Sequence, residues 1–414
     1  MNVCSALHQQ IKKSEILFYF YYVLFFFALF IEDVATVYLD TALLAKALKI
    51  GIIGCLLVQA FVLKWKEKAV YRLLLVLAVG GAVFLASGDF FWIIVLLMGT
   101  ISRHIDRERI YRISLQCLVL FTLVVLALFA LGVLPDTLSR RTDFDDFSRH
   151  SFGFVHSNIL PLCLFYILVY LLVIYRAGIK RRYMLLFGAL DLAVYWLCGS
   201  RNAFLGILLL ILYVLFFRKQ PAHSLCGRAV SITARYAMLG AAALSILPSL
   251  LRSRGIALSA WYWMDRILTN RTLLGAAAID RFGIHLLHFM KSGEYFNATV
   301  IVGSSEWNGI VLDSGYLYIT VRYGVLVLLL TLLIYRALYR QHKDSPLVCA
   351  VLIVVAFINF TDNDLLSYGF LPMMVIGVQQ LCAIQIPLKW KRAKRSIGDS
   401  TYAAANQCHT QHLQ

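Results

Sequence analysis

The stretch RHSFGFVHSNILPLCLFYILVYLLVIYR, residues 149–176, decides the class of fold. From Ile159 to Tyr175 it carries no charged side chain, and it ends on Arg176. Such a run approaches the roughly 20 apolar residues with which a helix crosses the hydrocarbon core of a bilayer. Ahead of it stand an arginine, two histidines and an asparagine, groups suited to holding an anion or moving a proton.

The apolar pattern recurs from end to end. Twelve runs read as spans, near 16–31, 41–63, 71–86, 89–101, 113–134, 151–175, 183–199, 202–217, 230–251, 314–334, 346–361 and 365–386. Hydrophobic residues make up 61% of the 414 and charged ones 15%, with a mean hydropathy of +0.76. That is too little charge for a soluble domain of this size. The runs are continuously apolar and do not alternate, which excludes a β-barrel. The expected fold is an all-α polytopic membrane protein of about twelve transmembrane helices.

A net charge of +17 suggests nucleic acid, but the positions of the charges say otherwise. Lys12 and Lys13 precede the first run; Lys64, Lys66, Lys68 and Arg72 follow the second. Arg103, Arg107, Arg109 and Arg112 follow the fourth, and Arg176, Lys180, Arg181 and Arg182 the sixth. The same alternation continues through Arg218, Arg336 and Lys389. Every second loop is basic, so both termini are expected in the cytoplasm. The opposite loops hold most of the acids, among them Glu32, Asp33, Asp89, Asp136, Asp362 and Asp364. The charge is therefore a topology signal, and no nucleic-acid partner is expected.

The nine cysteines fall in spans or on the cytoplasmic side, with no metal-like spacing, so neither a disulfide framework nor a metal site is expected. The first run leads into Ile31-Glu32-Asp33 without a small-residue cleavage site and reads as a retained span. Residues 1–390 form one integral membrane domain, and 391–414 a polar cytoplasmic tail expected to be disordered. The only large extramembrane region is 252–313, an outer loop between the ninth and tenth spans. Its segments SAWYWMDRI and AAAIDRFGIHLLHFM read as helices on the outer surface.

The informative side chains gather on the outer face. Arg149 stands where positive charge is disfavoured, and a planar guanidinium suits a phosphate or pyrophosphate. Its ordinary alternative is a snorkelling anchor. His156 exchanges protons near neutral pH, and Asn158, one turn on, needs a partner. Arg201 and Asn202 occupy a tight turn between two spans, and Arg271 lies in the large loop. Asp313 opens LDSGYLYITVRYGVL, either as a helix cap or as a proton acceptor at the membrane boundary. Asp362 and Asp364 read as solvated loop acids. Asp191, inside the seventh span, reads either as a functional candidate, as an intramembrane ionisable residue is by default, or as a partner for Lys46 or Lys49 of the second span, and no catalytic role is assigned to it. Phosphate-binding glycine loops, H-E-x-x-H, G-x-S-x-G and G-x-G-x-x-G are missing.

Four of these stretches resemble the bacterial O-antigen ligase/polymerase superfamily, and more closely its Wzy-type repeat-unit polymerases of capsule and exopolysaccharide synthesis. RHSFGFVHSN is similar to the family's Arg-x-Ser-x-Gly-Phe-x-His-x-Asn segment, GSRNA to its Ser-Arg turn, and MDRILTNR to its loop segment ending in arginine. LDSGYLYITVRYGVL is similar to the Asp-Asn-x-Tyr-Leu…Tyr-Gly segment that re-enters the membrane. Ser157 replaces a frequent proline and Ser314 a frequent asparagine. Ligases usually carry histidine-asparagine at Asp313-Ser314, so an aspartate there favours a polymerase.

The resemblance implies a multi-pass enzyme of the bacterial cytoplasmic membrane. It would join undecaprenyl-pyrophosphate-linked oligosaccharide units on the outer leaflet by inverting, cofactor-free and metal-free transfer. Arg149, Arg201 and Arg271 would hold the pyrophosphate, and Asp313 or His156 would take the acceptor's proton. Asn158, Asn202, Tyr316 and Tyr318 would contact the sugars. A flippase and a chain-length regulator of the same pathway would be partners. The alternatives are ligase-type transfer to another acceptor and a lipid-linked sugar exporter. An exporter would place its site near the midplane and show repeats.

Overall fold

The computed structural model describes residues 3–35, 40–62, 67–140, 148–256, 261, 263, 270–289, 299–302, 305–308 and 312–383. Fourteen α-helices account for most of them. α1 (Val3–Phe30) packs along α2 (Thr41–Val62), and α3 (Glu67–Ser87) folds back on α4 (Phe91–Ile101). α5 (Arg107–Ala130) begins at Asp106, whose side chain accepts from the Glu108 amide and so satisfies an otherwise orphaned donor. It runs beside α6 (Ile159–Tyr175). α7 (Arg181–Cys198) and α8 (Arg201–Phe217) form a tight helical hairpin.

α9 (Leu225–Ser253) lies against α10 (Arg271–Phe282) and α13 (Pro346–Thr361). Between them in the chain come α11 (Gly315–Arg322) and α12 (Val325–His342), and α14 (Leu371–Ala383) closes the described chain. Two short antiparallel hairpins complete it: β1 (Ser139–Arg140) with β2 (Ser148–Arg149), and β3 (Thr299–Val302) with β4 (Ser305–Asn308).

A helix occupies each of the twelve apolar runs, and six helices are long and apolar enough to cross a membrane. Their outer surface is oily: Phe61 is 85% exposed and Leu85 79%. Contiguous apolar exposure on this scale is costly in water and costs nothing against lipid. The chain is a helical protein with the features of a membrane-embedded one. Inside, α4, α12 and α14 approach closely. A Cβ added to Gly99 would stand 2.4 Å from Val378, and one added to Gly377 2.5 Å from Ile334. Small residues at such contacts let backbones approach, which is how helices associate in lipid.

Several expectations from the sequence are corrected. The sixth run becomes helical only at Ile159, with Pro161 tolerated in the first turn, and the twelfth only at Leu371. The tenth run is two helices, α11 and α12, interrupted at Gly324, where φ is +99°. Two amides at the start of α12 take carbonyls from the large loop: Val325 N donates to His285 O and Leu326 N to Leu286 O. The His288 amide in turn donates to Tyr323 O, so the loop patches the break.

That docked segment is also why the expected loop helix does not run on to Met290; α10 stops at Phe282. Its Ala276–Ile279 face is buried, and the helix packs on α9. The SAWYWMDRI segment lies mostly outside the described residues, as does the tail from 384 onward. Lys49 pairs with Glu32 at 2.8 Å and so is taken up away from Asp191, which is 2% exposed in α7.

Candidate active site

The entry to α6 is held by its own neighbours. Asp136 accepts from the His150 ring at 2.5 Å, from the Ser151 amide at 2.8 Å and from the Phe152 amide at 3.2 Å. These bonds clamp the chain where Phe152 (φ +52°) and Gly153 (φ +86°) turn it through the left-handed region. On the other side, Val34 bridges Phe154 after α1. His150 is thereby spent on the scaffold, while Arg149, on β2, is directed across the α7–α8 turn. Gly199 makes that turn at φ +66°, and a Cβ there would lie 2.9 Å from Arg149 Nε. Only a glycine gives both the left-handed corner and the room for the guanidinium.

Arg271 is the first residue of α10, and its Nε lies 3.4 Å from Asp313 Oδ2. Asp313 does not cap α11. Ser314 holds the cap position, without a side-chain cap bond, and its hydroxyl meets that of Ser245 in α9. Arg271, Asp313 and Ser314 line a cavity of about 20 Å³ with Ser249, Thr272 and Leu312, room for about one water.

His156 is exposed on the same side and within electrostatic reach of both Asp313 and Arg149. Its pKa lies below the usual histidine value. Desolvation by the surrounding protein is the main cause; Asp313 opposes it, and Arg149 adds to it. The Asn158 amide donates to His156 Nδ1 at 3.1 Å. In the neutral ring this hydrogen bond assigns the proton to Nε2, which becomes a donor.

Asp362 completes the group, against its reading as a solvated acid. It follows α13, is 8% exposed, and accepts from Asn202 Nδ2 at 3.0 Å. Burial, chiefly, and the neighbouring Asp364 push its pKa up to about 8, while Asn202 and Arg271 pull it down. Asp313 also acts on it. Nothing in NFTDNDLL signals this; the nearest hint is Asn359, a polar residue one turn before the end of an apolar run.

The structure therefore brings together Arg149, His156, Asn202, Arg271, Asp313 and Asp362, from five helix ends. Arg201 sits exposed at the first position of α8, and Asn158 is half-buried at the start of α6. The sugar-stacking role expected of Tyr316 and Tyr318 does not fit. Tyr316 is fully buried, its hydroxyl donating to Ala356 O at 2.9 Å. Tyr318 is 6% exposed and accepts from Arg322, whose guanidinium lies over the Tyr318 and Tyr323 rings and pairs with Asp89 at 3.2 Å.

No family model, curated protein or solved structure matches the chain.

Proposed function

We propose that the protein is a lipid-linked oligosaccharide polymerase with twelve spans and both termini in the cytoplasm, acting on the outer leaflet. The observation that carries this reading is the Arg271–Asp313 pair, with Asp362 within the field of both its charges and His156 between Asp313 and Arg149 in electrostatic reach. A carboxylate set among guanidiniums is what transfer from a pyrophosphate donor requires, and the sequence stretches that resemble the polymerases supply Arg149, His156, Arg271 and Asp313.

In the reaction Asp313 takes the proton of the acceptor hydroxyl as its oxygen attacks the anomeric carbon. The bond from that carbon to the pyrophosphate oxygen breaks, and undecaprenyl pyrophosphate leaves with the electron pair. Arg149, Arg201 and Arg271 neutralise the charge that builds on the leaving group. His156, holding its proton on Nε2, donates to the same oxygens, which leaves Asp313 as the base. A positioned base contributes about 10²–10⁴-fold. Asp362, largely protonated at neutral pH, orients Asn202 beside the site.

The test is purified protein mixed with a lipid-linked repeat unit in the presence of chelator. Polymer ladders with release of undecaprenyl pyrophosphate are expected. Recovery of intact single units would sink the proposal and leave an exporter as the better reading.

A further inference from the structure

The α7–α8 hairpin turns at Gly199, beside Arg149. Its open end lies roughly 25 Å away, the length of α8 at 1.5 Å per residue. There the start of α7 and the end of α8 enclose a cavity of about 330 Å³, lined by Arg181, Leu215, Phe216, Arg218 and Lys219. That volume falls at the lower end of small-molecule sites, which run from about 300 to 1,000 Å³.

The cavity is strongly positive. Arg181 is the first residue of α7, and Arg218 and Lys219 follow directly on α8. Arg218 Nη1 donates to Ile179 O and is thereby fixed across the mouth of the hairpin. Arg181 and Lys219 are exposed, while Arg182 is turned aside onto the Tyr183 ring at 5.0 Å. Lys180 gives the first amides of α7 no side-chain cap, so the positive end of that helix adds to the field. From Arg176 to Arg228 the one acid in the sequence is Asp191, deep within α7. Among the described residues none of the three basic side chains at the cavity forms an ion pair. A topology signal needs only charge on that side of the membrane. It does not need a cavity lined by three cations and no carboxylate.

An apolar track leads away from the same place. Phe216, at the lip of the cavity, is 73% exposed, and Leu212, Leu209 and Leu205 are exposed at helical spacing behind it. Any lipid would cover such a face; the charges beside it choose which.

We propose that this end of the hairpin binds an anionic glycerophospholipid of the inner leaflet. The phosphate sits among Arg181, Arg218 and Lys219, and an acyl chain lies along Phe216, Leu212, Leu209 and Leu205. Basic pockets between membrane helices take anionic headgroups in this way. A zwitterionic lipid would bring a further cation to a place that already holds three. The inner leaflet follows from the topology proposed above; the binding itself does not depend on glycosyl transfer.

The experiment is native mass spectrometry of the purified full-length protein in detergent, titrated with phosphatidylglycerol or with phosphatidylcholine of the same acyl chains. The first phosphatidylglycerol should bind about tenfold or more tightly than phosphatidylcholine. Arg181→Gln/Lys219→Gln, which alters only exposed side chains, should abolish that preference. Arg340→Gln/Lys343→Gln, an equal loss of exposed charge away from the cavity, should keep it. If the double variant at the cavity does not fold, Lys219→Gln alone should weaken phosphatidylglycerol binding by about fivefold. Equal affinity for the two lipids would overturn the proposal, and so would a preference undiminished by the substitutions at the cavity. Displacement of the lipid by inorganic phosphate at equal concentration would overturn it in favour of a free-phosphate site. Tighter binding of a polyprenyl phosphate than of phosphatidylglycerol would likewise overturn it.

Discussion

Arg271 Nε and Asp313 Oδ2 lie 3.4 Å apart, one at the head of α10 and the other just before α11. The pair sets the charge of the whole site. It gives Asp313 a counter-ion in the resting state and a guanidinium that a bound pyrophosphate can claim.

Arg271→Ala should cut polymer formation by about 10²-fold or more, the usual loss when one donor to a developing anion is removed. Asp313→Asn should cut it by about 10²–10⁴-fold. Because Asp313 does not cap α11, its thermal midpoint should stay near wild type. Turnover of the lipid-linked repeat unit and thermal unfolding of the same preparations check both. A parallel loss of folded protein and activity would return Asp313 to a structural role.

Asp362 makes stability depend on pH with a definite sign. Its folded pKa of about 8 lies above the unfolded carboxylate value, so the folded state binds the extra proton. That contribution is complete below about pH 4 and is lost as pH rises towards about 8. Asp364 adds a similar loss that ends near pH 6. Asp362→Asn should therefore flatten the decline between about pH 6 and 8 and reduce it between about pH 4 and 6 to the share from Asp364. An unchanged profile of unfolding midpoint against pH would refute the assignment.

The His156 ring should carry its neutral-state proton on Nε2, which side-chain nitrogen NMR reads directly, with His156→Gln giving the assignment. Arg149→Gln should raise its titration midpoint, and Asp313→Asn should lower it. Detection of the Nδ1–H form would instead make His156 available as the base.

Gly199→Ala should cost about 1–2 kcal/mol for a left-handed residue with a Cβ. It should also depress turnover by pushing Arg149 aside. Gly188→Ala in α7, where the new methyl would lie 3.4 Å from Ile211, is the control and should be nearly silent in both assays.

Tyr316→Phe removes the hydrogen bond to Ala356 O and should cost about 1 kcal/mol of stability. Turnover per folded molecule should not change. A selective loss of turnover would restore Tyr316 to the substrate.

Much of the fold was legible because a bilayer imposes a coarse code. Length and continuous apolarity mark Ile159–Tyr175 as a helix without any knowledge of its neighbours. The polar ends of those runs likewise exposed Arg149, His156, Arg271 and Asp313, since a charged group beside an apolar run stands out. The breaks were not legible. Gly324 interrupts a run that is apolar on both sides, and the carbonyls that patch it come from His285 and Leu286.

What the sequence determined by itself was the helical, membrane-type architecture and the residue types available for chemistry. What only the tertiary structure decided was the use of each. Tyr316 and Tyr318 turned inward to the scaffold, His150 went to Asp136, and Asp362 came in from a supposed solvated loop to meet Asn202. The physical reason is that hydropathy is a property of a residue and its run, whereas desolvation and hydrogen-bond partnership belong to contacts between helices far apart in the chain.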